Sequence, residues 1–536
     1  MVKGRVMKVK IKFLIAFIFL PLILISQQRN DFSGLKFCID PGHGGHNPAN
    51  DRQVIPDPGI VFWESESNFQ KALLLDTLLK QKNAWVILTR YTNDYPDDSQ
   101  EPSLSARAAI ANANNVHFFH SIHSNATGGT NTSTNYTLIL FRGYDNQPVF
   151  PDAKTMSSYI APQIKNHLRT STYYVRGDWS FYPDWGTAGL GVLRPLLMPG
   201  QLSEGSFHDY FPETRRLMNQ SYRKMEAFAL MKSFMQFYNV IPDTFAIIAG
   251  IQTDADSAKP KNGTIVKLLP ENRVYVGDYY NNGFYMFDFV PPTPHTIKFE
   301  TPNYVSDSAN LNVSVNGLHF VDKNLILNLP PVITATQPVN NDTAFKVTNY
   351  IGIRFSRSMD TTSVRNAFSI TPATSGSFTW LSSGQLLFFF PSQPLLYNTW
   401  YTIKIDSSAK SVGGIKLDGN GDGIPGDPFI LTFKTQSQPT SVNDFSNIPQ
   451  KFELYQNYPN PFNPETIIRF DLPENQFVSL KVYDLHGREV NKLVNNFLKA
   501  GSHEIKFDAS NLPSGIYFYQ IVTPKFTNTK KMILVK

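Results

Sequence analysis

The chain has 536 residues with 41% hydrophobic and 17% charged side chains, enough apolar material for several cores and too much for a disordered protein. At ~150 residues per domain, that length implies three or four domains. Net charge is +6, too mild to imply a nucleic-acid partner, and a single cysteine, Cys38, excludes an internal disulfide framework.

The N-terminus reads as an export signal over residues 1–27. Lys3, Arg5, Lys8, Lys10 and Lys12 form a basic head, and the apolar run Phe13–Ile25 is shorter than a membrane span. The polar Ser26, Gln27 and Gln28 follow. An uncleaved anchor is the alternative; a mature chain cut near Ser26 or Gln27 has no stable membrane span.

Residues 34–240 alternate strand and helix patterns, which predicts an α/β domain with a mostly parallel sheet. Strands are expected at Leu35–Asp40, Trp85–Arg90, Val116–His123, Tyr136–Arg142 and Gly200–Ser203. Helices are expected at Glu64–Lys80, Ser103–Ala113, Thr155–Leu168 and Thr214–Tyr238. Cys38 falls in the first strand and reads as a buried thiol. After Ile241-Pro242 the pattern changes to short alternating segments between Pro and Gly, as in Phe284–Phe289. Three β-sandwich modules are expected, at 242–330, 331–436 and 451–536, the last beyond a Ser/Thr/Gln/Pro linker.

The first strand runs into Asp40-Pro41-Gly42-His43-Gly44-Gly45, whose glycines let the chain turn sharply and leave His43 at the sheet edge. His123 closes a second apolar strand, Glu64 opens the first helix, and Glu204 follows the run Leu196–Ser203. Ligand sites in open α/β sheets lie at the carboxyl ends of strands, so these four are candidates for one site. Two neutral imidazoles and a carboxylate make a zinc set that leaves a position for water. A further carboxylate is then needed to move the proton.

The run Ile39-Asp40-Pro41-Gly42-His43-Gly44-Gly45 resembles the opening motif of the zinc N-acetylmuramoyl-L-alanine amidases. Glu64 with Asn68, then Leu88-Thr89-Arg90, Leu104-Ser105-x-Arg107-Ala108-Ala109 and Ser121-Ile122-His123-Ser124-Asn125-Ala126, follow in the family's order. The resemblance implies Zn2+ on His43, Glu64 and His123, and Glu204 as catalytic base. Its substrate is the amide between N-acetylmuramic acid and L-alanine in peptidoglycan. Glu204 stands in Gln201-Leu202-Ser203-Glu204-Gly205-Ser206-Phe207, where the family has a more apolar surround, and Glu66 competes with Glu64 as ligand. The alternatives are a non-catalytic wall-binding adhesin and a zinc peptidase.

Other residues have plainer readings. His46, His117 and His120 read as packed or surface residues, and His208 and Asp209 as candidate substrate contacts. Arg90 and Arg107 either orient anionic peptide or form fold-stabilising ion pairs. Trp179, Phe181, Tyr182 and Trp185 either line a sugar groove or anchor a loop. Asp418-x-Asn420-x-Asp422-Gly423 reads as a weak calcium loop or an Asp/Asn/Gly turn.

Residues 331–436 resemble bacterial Ig-like domains through Phe355-Ser356-Arg357-Ser358-Met359-Asp360. Residues 242–330 look like a small prealbumin-type sandwich. Residues 451–536 resemble the C-terminal sorting domain of the type IX secretion system. The motifs that carry this are Gln456-Asn457-Tyr458-Pro459-Asn460-Pro461-Phe462-Asn463-Pro464, Val482-Tyr483-Asp484, Gly487-Arg488 and Leu512-Pro513-Ser514-Gly515-Ile516-Tyr517. That resemblance implies passage through both membranes, with release or surface attachment.

Overall fold

The computed structural model describes residues 28–45, 62–95, 100–129, 131–438 and 449–535. The export signal, His46 and most of the linker before the last module lie outside the described residues. The described residues up to Gln436 form one compact unit and those from Ser437 a second.

The first unit opens with a mixed sheet. Its strands are β1 (Lys36–Pro41), β2 (Trp85–Leu88), β3 (Phe118–Asn125), β4 (Thr137–Phe141), β7 (Tyr173–Gly177) and β8 (Gly200–Phe207), in the order β2-β1-β3-β8-β4-β7. β2, β1, β3 and β8 run parallel, and β4 and β7 run against β8. A two-residue-strand hairpin, β5 (Gly143–Tyr144) and β6 (Gln147–Pro148), follows β4.

Helices α1 (Glu64–Lys80), α3 (Pro151–Leu168) and α6 (Gln220–Phe237) cover one face, where Phe37, Ile39, Ile122 and Ile139 meet Leu75, Ile164 and Phe234. Helix α2 (Leu104–Ala113) and the chain around Val192–Leu196 cover the other, where Cys38, Phe119, Leu138 and Leu202 are buried. β1 sends Phe37 and Ile39 into one layer and Cys38 into the other, as a central strand covered on both faces must. Burial pushes the Cys38 thiol far above its ordinary range.

Three features depart from the expected elements. The expected closing helix is two, α5 (Phe211–Leu217) and α6, because the Asn219 side chain accepts from Tyr222 N at 3.0 Å and caps a new helix. β7, a half-exposed edge strand, was not anticipated, since a short outer strand carries little apolar signal. β8 runs four residues further than expected, so Glu204 lies inside the strand. The short α4 (Asp178–Phe181) and a 3-10 turn at Pro183–Ala188 fill the aromatic segment.

The next module has two sheets. One joins β9 (Ala246–Asp254), β12 (Phe284–Val290), β15 (Leu318–Phe320) and β16 (Lys323–Leu325). The other joins β10 (Ile265–Leu269), β11 (Arg273–Val276), β13 (Pro294–Phe299) and β14 (Asp307–Asn312). Ile248, Phe287, Val266 and Ile297 fill the space between them. The outer face of the β9–β12 sheet, with Ile247, Ala249 and Phe284, joins the core of the α/β layer through α6. Phe228 of α6 meets Phe245 and Phe289 at 5.9 and 5.6 Å. This contact accounts for a helix that is buried on nearly every side: it is covered by sheet on both sides. The module is therefore packed on the α/β layer.

The following sandwich pairs strands Ile333–Gln337, Ile351–Phe355, Leu386–Pro391 and Gly376–Leu381 against Asp342–Phe345, Phe429–Thr435, Trp400–Ile405 and Phe368–Thr371. Its Phe-Ser-x-x-Met-Asp motif has a local logic: Phe355 and Met359 are buried, and the Asp360 carboxylate caps the helix Thr361–Ala367 through Thr362 N and Ser363 N. Asp418 is buried and accepts from the backbone N–H groups of Gly421, Asp422 and Gly423, the geometry of an Asp/Gly turn. In the second unit, the sheet Glu453–Leu454, Glu465–Leu472, Gly501–Asp508 faces Glu489–Leu498, Gln476–Tyr483, Gly515–Val522, Thr527–Leu534. Its Asn457 side chain holds Pro459 O and Thr466 Oγ1, each at 3.0 Å, which shapes the Pro/Asn entry loop.

Candidate active site

The loop after β1 is held from below. Asp40 is buried, accepts from Ser121 Oγ at 2.6 Å and Arg107 Nη1 at 2.9 Å, and also bonds Thr89. Arg107 donates onward to Pro41 O (2.8 Å) and His43 O (3.0 Å), and pairs with Glu101. Arg90 donates to Pro41 O, Gly42 O and Ser65 O at 3.0–3.2 Å. Both guanidinium groups are buried and committed to backbone carbonyls, so they hold the loop; they do not face a substrate.

The loop so fixed places His43 at φ +57°, a strained conformation for a non-glycine residue and a recurrent feature of functional sites. Glu64 opens α1 with its carboxylate 2% exposed. It accepts from Asn68 Nδ2 at 3.2 Å, one helical turn on, and from Ser124 N at 3.0 Å. His43 Nε2 lies 3.3 Å from Glu64 Oε2, and His123 Nδ1 lies 3.5 Å from Glu64 Oε1. The two rings stand edge to face, 4.9 Å apart.

Burial raises the Glu64 carboxyl, but the imidazoles of His43 and His208 and hydrogen bonds from His123 and His43 outweigh it and hold it well below the ordinary carboxylate range. Burial pushes the His123 imidazole below its ordinary range, against the opposing hydrogen bond and charge of Glu64, and so favours its neutral form. One ligand atom from each of His43, Glu64 and His123 lies within 4.8 Å of the others, the only such set in this α/β layer among the described residues. Two imidazole nitrogens and a carboxylate oxygen converging from three elements fit a zinc ion.

Glu204 lies directly opposite His123 on the neighbouring strand and opposite Leu138 on its other side. Glu66 points away, with its carboxylate 3.9 Å from Arg223, which leaves Glu64 as the carboxylate facing the histidines. His208, considered from sequence only as a substrate contact, sits against the cluster: its Nδ1 is 2.9 Å from Ser124 O and 3.6 Å from Glu64 Oε2. No ligand-like spacing marks it in the sequence. Asp209 ties down the β3–β4 loop through Thr127 and Asn131. His120 is packed between Gln201 and Ser203 and pushed down to about 3 by burial, and His117 accepts from Lys36 N at the far end of the sheet.

With this geometry in view, comparison with known proteins is direct. Residues 37–233 match the model of the N-acetylmuramoyl-L-alanine amidase family. This α/β layer is an amidase-family domain. Residues 328–448 match a bacterial Ig-like domain and residues 456–536 a secretion system C-terminal sorting domain, which addresses the chain for export. Among the described residues no helix is long and apolar enough to cross a membrane.

The amidase domain is 28% identical over 250 residues to the sporulation-specific N-acetylmuramoyl-L-alanine amidase of Bacillus subtilis, covering 44% of this chain and 86% of that protein. It is 26% identical over 218 residues to an uncharacterised cell wall amidase of Bacillus anthracis, covering 40% of this chain and 38% of that protein's length. Among solved structures, the catalytic domain of the amidase CwlV from Bacillus (Paenibacillus) polymyxa is 18% identical. It covers 39% of this chain and 99% of that one, with a TM-score of 0.31.

Proposed function

We propose that the chain is an exported zinc hydrolase that cleaves the amide between N-acetylmuramic acid and L-alanine in peptidoglycan, with His43, Glu64 and His123 as metal ligands and Glu204 as general base. The observation that carries this reading is the convergence of those three donors within 4.8 Å, with Glu204 at the adjoining strand position. Bound there, zinc supplies Lewis acidity that acidifies water and polarises the scissile carbonyl.

The chain's own residues do the rest. Asn68 and Ser124 N fix the Glu64 carboxylate, so both histidines meet it in a set orientation. Glu204 takes the proton from the attacking water and returns it to the leaving L-alanine nitrogen. The sorting domain carries the enzyme outward through the type IX machinery, which makes peptidoglycan outside the cell its substrate.

The test is turbidity loss of purified peptidoglycan with zinc, with chelator, and with Glu204→Ala. Clearing should need both zinc and Glu204, release L-alanine amino termini and create no new reducing ends. Cleavage that leaves the lactyl amide intact would mean a peptidase. Wall retention without clearing, in protein loaded with zinc, would mean an adhesin.

A further inference from the structure

The aromatic segment around Trp179–Trp185 splits in two on folding. Phe181 and Tyr182 pack onto the sheet layer that holds Cys38, Phe119, Leu138 and Leu202. Trp185 stacks on Tyr182, with centroids 4.2 Å apart and planes 13° from parallel, yet stays 51% exposed. Anchoring a loop accounts for Phe181 and Tyr182. It does not account for an indole whose outer face is open.

Trp185 is not an isolated surface ring, because aromatic side chains continue from it toward Glu204. β7 pairs with β4 so that Tyr174 lies beside Leu138 and Arg176 beside Leu140. Leu138 and Leu140 both face the α2 side, so Tyr174 and Arg176 face it too. The Arg176 guanidinium lies 6.0 Å from the Phe181 ring, and Phe181 meets Tyr182 edge-on at 4.8 Å. In the other direction Tyr174, 48% exposed, meets Tyr136 edge-on at 5.1 Å. Tyr136 is two residues before Leu138, the residue opposite Glu204 on β8. Burial, with Tyr174 and Glu204 close by, pushes the Tyr136 phenol above its ordinary range. Two groups of rings thus lie along this face, Tyr136 and Tyr174 on the side of the proposed base and Phe181, Tyr182 and Trp185 toward the edge of the domain, with Arg176 between them.

The chemistry of this strip selects its occupant. Pyranose rings present flat C–H faces edged by hydroxyls, and phenol and indole rings offer the complementary apolar face with a polar edge. Arg176 is paired with Asp145 at 2.8 Å, and Asp184 lies exposed beside Trp185. The exposed rings carry no charge and the Asp184 carboxylate beside Trp185 opposes the carboxylates of a stem peptide, whereas an uncharged sugar meets no such penalty.

We infer that this strip is a glycan-binding subsite, which holds the sugar strand next to the amide being cut. The choice of peptidoglycan glycan as occupant rests on the amidase reading; the strip and its charge balance do not.

The experiment uses the full chain with Trp185→Ala, Tyr174→Ala and Trp185→Phe, each first checked for an unchanged melting temperature. Binding of peptide-free glycan strands is measured by calorimetry. Separately, kcat and KM are measured on long uncut strands and on a single-sugar muramoyl-peptide. Each alanine variant should weaken strand binding about 3- to 10-fold, the worth of one aromatic contact, while Trp185→Phe keeps most of it. On long strands KM should rise with kcat retained, so the preference for long over short substrate falls.

Unaltered strand binding in both alanine variants, or equal loss on long and short substrates, overturns the subsite. If strands bind through Trp185 but no substrate is cut, the subsite stands and the amidase reading falls. If wall is cut while strand binding ignores both substitutions, the reverse holds.

Discussion

The imidazole of His123 occupies the space where a side chain at residue 42 would begin: a Cβ built on Gly42 falls onto the His123 ring. The backbone of Gly42 is not in the left-handed region, and its N–H donates to Ile122 O at 2.9 Å, so the need for glycine here is purely steric. The first motif and the strand carrying the third ligand are fitted to each other through that contact.

Gly42→Ala should therefore displace His123 or the loop that carries His43 while leaving the sheet folded. Displacing a reactive group by ~1 Å costs on the order of 100-fold in rate. Zinc content by elemental analysis should fall in parallel with wall-clearing activity, with near-native circular dichroism. Full metal content and activity would show that the site tolerates a different approach of β1 and β3.

Arg107 offers a test of whether a loop clamp acts on stability or on substrate. Replacing it by Leu removes the countercharge of the buried Asp40 carboxylate and the guanidinium donor to His43 O, a loss of about 3–5 kcal/mol. Denaturant unfolding should show that loss. A variant of wild-type stability with a raised KM alone would instead make Arg107 a substrate contact.

Truncation separates a packed module from a loose one. A chain ending at Pro242 uncovers the outer side of α6, where Phe228 alone is worth about 1.5–3 kcal/mol of buried apolar surface. It should express poorly or aggregate, while a chain ending at Gln436 keeps that side covered and should remain monomeric by light scattering. Equal solubility and melting temperature for the two would show that the β module is a dispensable arm.

Acid should weaken the fold through His167. Burial and then the nearby Lys232 ammonium push this imidazole from 6.5 down to about 3, with its Nδ1 held on Gln163 O at 2.8 Å. Above pH 6.5 the residue is neutral whether folded or unfolded and adds nothing to the pH dependence. Below 6.5 only the unfolded chain takes up its proton, so stability falls as pH drops toward 3, by about 1.4 kcal/mol per pH unit well inside that window. His167→Leu should flatten this part of the stability–pH curve by one proton, measured by urea unfolding from pH 7 to pH 4. An unaltered slope would place the acid sensitivity elsewhere.

Much of the molecule can be read in one dimension. Glycines around His43, the Glu64–Asn68 turn of helix and the apolar run ending in His123 are local patterns, and each sets its own element and the end at which its functional side chain emerges. Asp360 capping the helix after Met359 and Asn457 shaping the Pro/Asn loop are likewise interactions within a few residues.

Other features depend on which segments meet, and no local pattern records that. The spacing to Asn68 favours Glu64 over Glu66 in sequence, but it is the packing of α1 that turns one toward the histidines and the other toward Arg223. His208 reaches Glu64 because β8 pairs with β3, and Arg90 and Arg107 become loop clamps because the chain turns over them. The large apolar residues of α6, Phe228 among them, signal burial without naming the partner, which proves to be a β sheet from the next module. Sequence by itself determined the elements, their faces and the residue types fit for zinc chemistry, because those follow from neighbours along the chain. Tertiary structure decided which carboxylate, which imidazoles and which aromatic rings share one space, because burial and pairing are set by residues as far apart in the chain as Glu64 and His208.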